Sequence, residues 1–127
     1  MKFHALDIGT GQPRFSAPTN GNVFSSPAIA SGMAYFGGFD GKLQAVDLKS
    51  GKYVWEFATD AARQNARGFL TPAGKLNQKA IYLSDFYDDM VLAVDRIMSL
   101  GSIVSSPAVD GGVIYFGSAD GNLYALE

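Results

Sequence analysis

The sequence contains no cysteine and a single histidine, His4. Without cysteine the chain cannot form disulfide bonds, thiolate metal sites or a thiol nucleophile. One imidazole without a thiol partner does not make an ordinary zinc site, and no nucleophile is paired with a base near His4. We therefore expect His4 to occupy an exposed position on a strand.

The sequence also lacks an excess of either charge and any long apolar run. Its ten Lys and Arg are balanced by twelve Asp and Glu, so it has no clustered basic face of the kind that binds nucleic acid. No apolar run is long enough to span a bilayer, and the N-terminus lacks the apolar core of a signal peptide. We expect no nucleic-acid partner and no membrane span. Either a leader lies outside the sequence or the chain is cytoplasmic as written.

Internal repeats are the main feature that the sequence does contain. The strings at 3–7, 43–47 and 123–127 are FHALD, LQAVD and LYALE, and they are spaced by 40 and then 80 residues. The strings VFSSP at 23–27 and IVSSP at 103–107 are also 80 residues apart. A period of about 40 residues with four short strands is typical of a β-propeller blade.

The repeats predict an all-β chain of about three blade equivalents. Residues 1–20 form a partial blade, 21–60 a complete blade, 61–100 a degenerate blade and 101–127 a blade without its outer strand. The predicted strands are 3–7, 14–17, 24–29, 33–37, 42–47, 53–58, 68–71, 79–84, 90–95, 103–109, 113–117 and 122–126. No helix is predicted beyond single turns near 60–65 and 96–100.

Two dipeptides mark tight hairpins. Asp40-Gly41 and Asp120-Gly121 each separate two strand-like runs. Asp-Gly supplies the positive φ angles that such a hairpin requires. Both dipeptides are therefore expected to be structural parts of the repeat.

A second turn frame consists of Ala45, Asp47, Gly51 and Trp55. The Asp47 side chain can bond to the turn backbone, and Gly51 permits the turn. Trp55 then places a large apolar surface against the next blade.

This frame, with the string SPAIASGMAYFGGFDGKLQAVD that ends at Asp47, resembles the tryptophan-docking repeat of the pyrroloquinoline-quinone-type (PQQ-like) β-propellers. That family includes quinoprotein alcohol dehydrogenases and the lipoprotein scaffold of outer-membrane barrel assembly. The resemblance implies a propeller fold and a bacterial periplasmic or cell-envelope setting. It implies no single activity, because propellers carry many functions.

The resemblance implies pyrroloquinoline quinone and calcium for the dehydrogenase members of the family. The chain lacks the vicinal cysteine pair that commonly stacks on that quinone, and no stretch matches a cofactor-binding motif of those enzymes. We therefore expect no cofactor.

The densest acidic cluster is formed by Asp85, Asp88 and Asp89. Calcium prefers several oxygen ligands, and three carboxylates could supply them. Their spacing matches no calcium loop, so a solvated loop is the first expectation and a metal site the alternative.

The insertion at 59–78 in the degenerate blade contains Arg63, Arg67 and Lys75. Irregular loops displayed on a rigid scaffold often carry binding functions. These residues are the candidate surface for a protein partner, with an ordinary solvated loop as the alternative.

Together these patterns favour a non-catalytic PQQ-like repeat module that serves as a binding or assembly scaffold. The alternative is a fragment of a PQQ-dependent quinoprotein dehydrogenase. Because incomplete blades expose strand edges, we also expect either a homo-oligomer that shares blades or a place in a larger propeller. In the homo-oligomer, residues 14–17 of one chain would supply the strand missing after Leu126 of another.

Overall fold

The computed structural model describes all 127 residues, which form three antiparallel sheets and three helices. The strands are β1 (Lys2–Leu6), β2 (Pro13–Pro18), β3 (Ala28–Ala30), β4 (Met33–Gly37), β5 (Lys42–Asp47), β6 (Tyr53–Ala58), β7 (Ala108–Asp110), β8 (Val113–Gly117) and β9 (Leu123–Leu126). The helices are α1 (Asp60–Phe69), α2 (Gln78–Ile81) and α3 (Tyr87–Met98). The prediction of a mainly β chain is confirmed. No helix combines the length and apolar character needed to cross a membrane.

The central sheet has the strand order β3-β4-β5-β6. Its β4–β5 hairpin turns at Asp40 and Gly41, where Gly41 has a φ of 70°, a conformation that glycine adopts without steric penalty. Residues 43–46 of β5 are all buried. Both faces of this strand are therefore covered, and the rest of the molecule packs around it.

In two of the repeats, hydrogen bonds from a serine hydroxyl take the place of backbone pairing by the first part of a strand. The Ser25 hydroxyl donates to the Gly37 carbonyl (3.0 Å) and accepts from the Gly37 amide (2.9 Å). Ser105 makes the same pair of bonds with Gly117, at 2.8 and 2.9 Å. These bonds satisfy backbone groups that a longer strand would otherwise pair. As a result β3 and β7 begin at Ala28 and Ala108, later than the predicted starts at 24 and 103.

The main apolar core lies between the central sheet and the β7-β8-β9 sheet. It consists of Leu43, Ile103, Ile114 and Phe116, with Phe57 and other partly buried side chains packed against it. A Cβ atom added to Gly37 would lie 2.1 Å from the Ile103 side chain. Gly37 therefore allows the two sheets to approach closely.

The β1-β2 sheet packs against the other side of the central sheet. The Phe3 and Phe36 rings are stacked with centroids 5.0 Å apart. The Phe15 ring lies on Gly51, where an added Cβ would come within 2.7 Å of it. Phe15 occupies the place in its repeat that Trp55 has in the next one, so an aromatic ring docks onto the turn glycine of the neighbouring sheet.

The predicted strands at 68–71, 79–84 and 90–95 are wrong. The segment predicted to be a degenerate blade contains α1, α2 and α3 instead, and its only β pairing is an isolated bridge between Leu70 and Leu76. The turns predicted near 60–65 and 96–100 lie in or beside α1 and α3.

The local sequence explains why this segment forms helices and not strands. Thr59 caps α1 by accepting from the Ala62 amide at 3.1 Å, a strong helix-start signal. In α3 the buried residues Asp89, Ala93 and Ile97 are spaced four apart, which is the period of one helix face. The residue types in this segment resemble those of the repeat strands, but their buried positions follow the helical period.

The helical segment is attached to the hairpin turn of the central sheet. The Thr59 amide donates to the Gly41 carbonyl (2.9 Å), and the Thr59 hydroxyl donates to the Leu100 carbonyl (3.2 Å). The Ile103 amide donates to the Gly38 carbonyl (3.0 Å). A Cβ on Gly41 would lie 2.0 Å from the Leu100 oxygen. The start of α1 and the chain after α3 therefore meet at one turn, the 38–41 turn.

The close approach at Gly41 predicts a large effect of Gly41→Ala. The new methyl would meet the Leu100 carbonyl, and the positive φ would add strain, so we expect the free energy of unfolding to fall by about 3 kcal/mol or more. Gly121→Ala is the matched control: Gly121 has a φ of 86° in the equivalent hairpin, but no atom lies within 4 Å of the added Cβ. It should cost only about 1 kcal/mol. Urea unfolding measures both, and equal losses would contradict the packing described for Gly41.

Candidate functional site

Three basic side chains line a groove of about 550 Å³ beside α1. The end of β6, one face of α1 and the turn at 70–74 form its walls. Its lining residues are Lys42, Ala58, Ala62, Arg63, Ala66, Arg67, Leu70, Thr71, Pro72 and Gly74. We refer to it as the basic groove.

The spacing of residues on α1 creates this groove. Arg63 and Arg67 are four residues apart, and so are Ala62 and Ala66, so each pair lies along one side of the helix. The two alanines leave space that larger side chains would fill. The arginines then border a narrow apolar floor.

Helix α1 is fixed at its first residue and at its middle. The Asp60 amide donates to the Tyr124 hydroxyl of β9 at 3.0 Å. The Asn65 amide side chain donates to the Ser99 carbonyl after α3 at 2.6 Å. With the Thr59 cap, these bonds hold the helix against both the sheets and the rest of the helical segment.

The three cations of the groove differ in their pairing. Lys42 forms a 2.5 Å ion pair with Glu56 across β5 and β6. Arg63 pairs with Asp60, donates to the Ala58 carbonyl and lies over the Phe57 ring at 5.4 Å. Arg67 forms no salt bridge and no side-chain hydrogen bond within the chain. It is therefore the free cation of the groove.

The predicted partner surface is thus only partly assembled. Arg63 and Arg67 line one groove, but they lie on a helix and not on the predicted loop. Lys75 is exposed on the turn beyond the groove, where the Thr71 amide donates to its carbonyl at 2.7 Å. Lys42 also lines the groove but was not predicted, because it belongs to the hairpin of another repeat and reaches the groove only through folding.

The acidic cluster has separate roles. Asp85 and Asp88 are exposed. Asp89 accepts from the amides of Leu83 (2.7 Å) and Ser84 (2.9 Å) and forms a 2.8 Å ion pair with Arg96. These bonds, led by the Ser84 amide, lower the pKa of Asp89. No three His, Cys, Asp or Glu side chains come together in a way that could hold a metal ion.

The turn frame of the repeat is held by aspartate side chains. Asp47 accepts from the Ser50 amide at 2.6 Å, and Asp7 accepts from the Thr10 amide at 2.9 Å in the first repeat. Bonds from Ser50 and Thr10, respectively, lower the pKa of each carboxyl. The predicted frame residue Ala45 is buried and pairs in register with Trp55.

Trp55 itself lies over Tyr35 of its own sheet, with ring centroids 5.8 Å apart, and is 37% exposed. It is not among the side chains packed against the core between the sheets. Phe57, two residues later, makes that contact, with its ring 6.1 Å from Phe116.

Asp40 and Asp120 occupy equivalent turns but different environments. Asp40 is buried, and one of its carboxyl oxygens has no hydrogen-bond partner. Burial raises its pKa to about 6, against smaller opposing effects from Lys42. Asp120 accepts from the Tyr124 hydroxyl at 2.7 Å. Although burial opposes it, this and other hydrogen bonds lower the pKa of Asp120.

Most of the chain is similar to a known protein family. A family model described as "Outer membrane protein assembly factor BamB" matches residues 1–96. The outer membrane protein assembly factor BamB of Xanthomonas campestris pathovar campestris is 32% identical over 68 residues, which is 54% of this chain and 15% of that protein. The chain therefore spans a small part of the length of this relative.

The buried carboxyl predicts a distinctive pH dependence for Asp40→Asn. Because the folded-state pKa of about 6 lies above the usual value of 3.8, the folded protein loses stability as the pH rises from about 4 to about 6. Asparagine stays neutral, so the variant should be more stable than the native protein at pH 7 by on the order of 2 kcal/mol, with most of this difference gone at pH 4.

Asp120→Asn is the opposite case and serves as the control. Because the folded state favours ionised Asp120, that carboxyl stabilises the fold above its usual pKa, and the variant should be less stable at pH 7. Urea unfolding at pH 4 and pH 7 measures the free energy of unfolding of the native protein and of the two variants. A destabilised Asp40→Asn protein at pH 7 would contradict the assignment of a buried, costly charge.

Proposed function

The chain belongs to the family of the outer membrane protein assembly factor BamB, and we propose that it is a non-catalytic module that binds a protein partner during assembly in the bacterial cell envelope. The observation that carries the proposal is the basic groove, with its unpaired Arg67 on a fixed helix. The family supports the cell-envelope setting.

An acidic, extended peptide segment is the ligand that suits the groove. A guanidinium binds carboxylates with two parallel hydrogen bonds, and Arg67 is free to do so. Arg63 and Lys42 lie beside it, each paired with a carboxylate of the chain, and the alanine floor accepts a backbone or a small side chain. A volume of about 550 Å³ accommodates a few residues.

The residues of the groove also favour binding over catalysis. Its charged lining groups are one lysine and two arginines, with no carboxylate and no imidazole. A general base is normally one of those two groups. His4 lies on β1, exposed and outside the groove.

Bare strand edges supply the second part of the proposal. β9 has one strand neighbour, β8, and β1 has one, β2. Unpaired strand edges are usually covered in native proteins. A further strand would cover β9. It would come from a second copy in a homo-oligomer, or from a longer chain that contains this one in a larger propeller.

Binding of a fluorescein-labelled peptide of alternating Glu and Ala tests the groove. We expect Arg67→Gln to weaken binding about tenfold, because it removes the free cation, and high salt to weaken binding further. Lys79→Gln is the matched control, since Lys79 is exposed on α2 and does not line the groove. Fluorescence anisotropy gives the dissociation constants. Equal losses in the two variants, or no binding by the native protein, would contradict a specific acidic-peptide site.

A further inference from the structure

Helix α3 exposes an unusual amount of apolar surface. Tyr87, Met90, Val91 and Val94 are each at least half exposed, from 50% for Val91 to 79% for Tyr87. Phe86, immediately before the helix, is 79% exposed. Large apolar side chains that cluster at the surface usually mark an interaction site.

These residues form a stripe that is separate from the buried face. At about 3.6 residues per turn, positions 87, 90, 91 and 94 fall along one side of the helix. The buried residues Asp89, Ala93 and Ile97 lie on an adjoining side. Helix α3 thus has one face for its own core and a second apolar face, the α3 stripe, of which half or more of each side chain remains exposed.

The α3 stripe is held in place by the internal ion pair. Arg96 donates to both Asp89 (2.8 Å) and the Ile81 carbonyl (2.7 Å). Asp89 in turn accepts from the Leu83 and Ser84 amides. The segment before α3 is therefore tied to the helix, and the stripe is presented on a fixed support.

One border of the α3 stripe is acidic. Asp88 and Asp95, seven residues and about two turns apart, lie on the side of the stripe away from the core. Both are exposed, and neither forms a salt bridge. The one basic residue of the helix, Arg96, is engaged by Asp89 on another side.

We propose that the α3 stripe is the docking surface for a helix of a protein partner that has an apolar stripe bordered by Lys or Arg. A helix of this kind would bury the stripe, as in other helix-in-groove complexes. Its basic residues would face Asp88 and Asp95, and charge complementarity of this kind selects a partner.

The same charges disfavour the other occupants. In an antiparallel pair of two copies, Asp88 of one helix would lie beside Asp95 of the other, and like charges repel. An anionic lipid surface would meet the same two carboxylates. The surface is distinct from the basic groove, so this inference does not rest on the function proposed for that groove.

Two synthetic helical peptides test the proposal. Both carry Leu at positions i, i+3, i+4 and i+7, and the flanking positions are Lys in one peptide and Glu in the other. We expect the native protein to bind the Lys peptide about tenfold more tightly than the Glu peptide. Val91→Ser should weaken binding of both peptides. Asp88→Asn combined with Asp95→Asn should remove the preference for Lys and leave apolar binding in place.

Two matched controls identify effects that do not belong to the stripe. Ile8→Ser removes an apolar side chain that is fully exposed on the β1–β2 turn, and Asp110→Asn removes an exposed carboxylate on β7. Neither should change binding of either peptide. Isothermal titration calorimetry gives the dissociation constants, and circular dichroism checks that each variant is folded.

Four results would overturn the proposal. They are equal affinity for the two peptides, an unchanged preference in the double Asn variant, a concentration-dependent dimer in light scattering that Val91→Ser abolishes, and binding to anionic phosphatidylglycerol vesicles that Val91→Ser abolishes. The third result would assign the stripe to a second copy, and the fourth to a lipid surface.

Discussion

The contact between the 38–41 turn and the carbonyl of Leu100 is the constraint on which the rest of the structure depends. Only glycine at position 41 allows the Leu100 oxygen to come so close. Around this contact, Thr59 bonds to both partners, and Ile103 bonds to Gly38. The central sheet, the start of α1 and the entry to the last sheet are thereby joined at one place.

This junction attaches the helical segment to the central sheet without interrupting the pairing of its strands. The sheets form the support, and the two longer helices carry most side chains of the basic groove and those of the α3 stripe. α1 presents Arg63 and Arg67 to a groove, whereas α3 presents an apolar stripe with an acidic border. Under the two proposals, the basic groove takes an acidic segment and the α3 stripe a helix bordered by basic residues.

Much of the sheet structure follows from residues that are recognisable in the sequence. The Asp-Gly hairpins and the turn frames of the repeats predict seven of the nine strands to within one residue, whereas the Ser-Ser-Pro strings, predicted to lie in strands, precede β3 and β7. The helical segment could not be predicted in the same way. Residues 91–95 have the composition of a repeat strand, and only the four-residue spacing of Asp89, Ala93 and Ile97 indicates a helix.

The candidate site was predictable in part, for a related reason. Arg63 and Arg67 stand out in the insertion, but their shared helix face depends on the Thr59 cap. Lys42 reaches the groove through a hairpin in a different repeat, and no local pattern reveals such a contact. The burial of Asp40 is also a tertiary property, since Asp120 lies in the same Asp-Gly turn sequence but is only partly buried.

The central claim is that the basic groove is a preformed site, fixed by the junction at the 38–41 turn. Amide hydrogen exchange at Thr59 and Ile103 tests it most directly, because these amides donate to Gly41 and Gly38. The account predicts that both exchange as slowly as the amides of β5, through global unfolding. If they exchange much faster while β5 stays protected, the helical segment opens independently and the groove is not preformed.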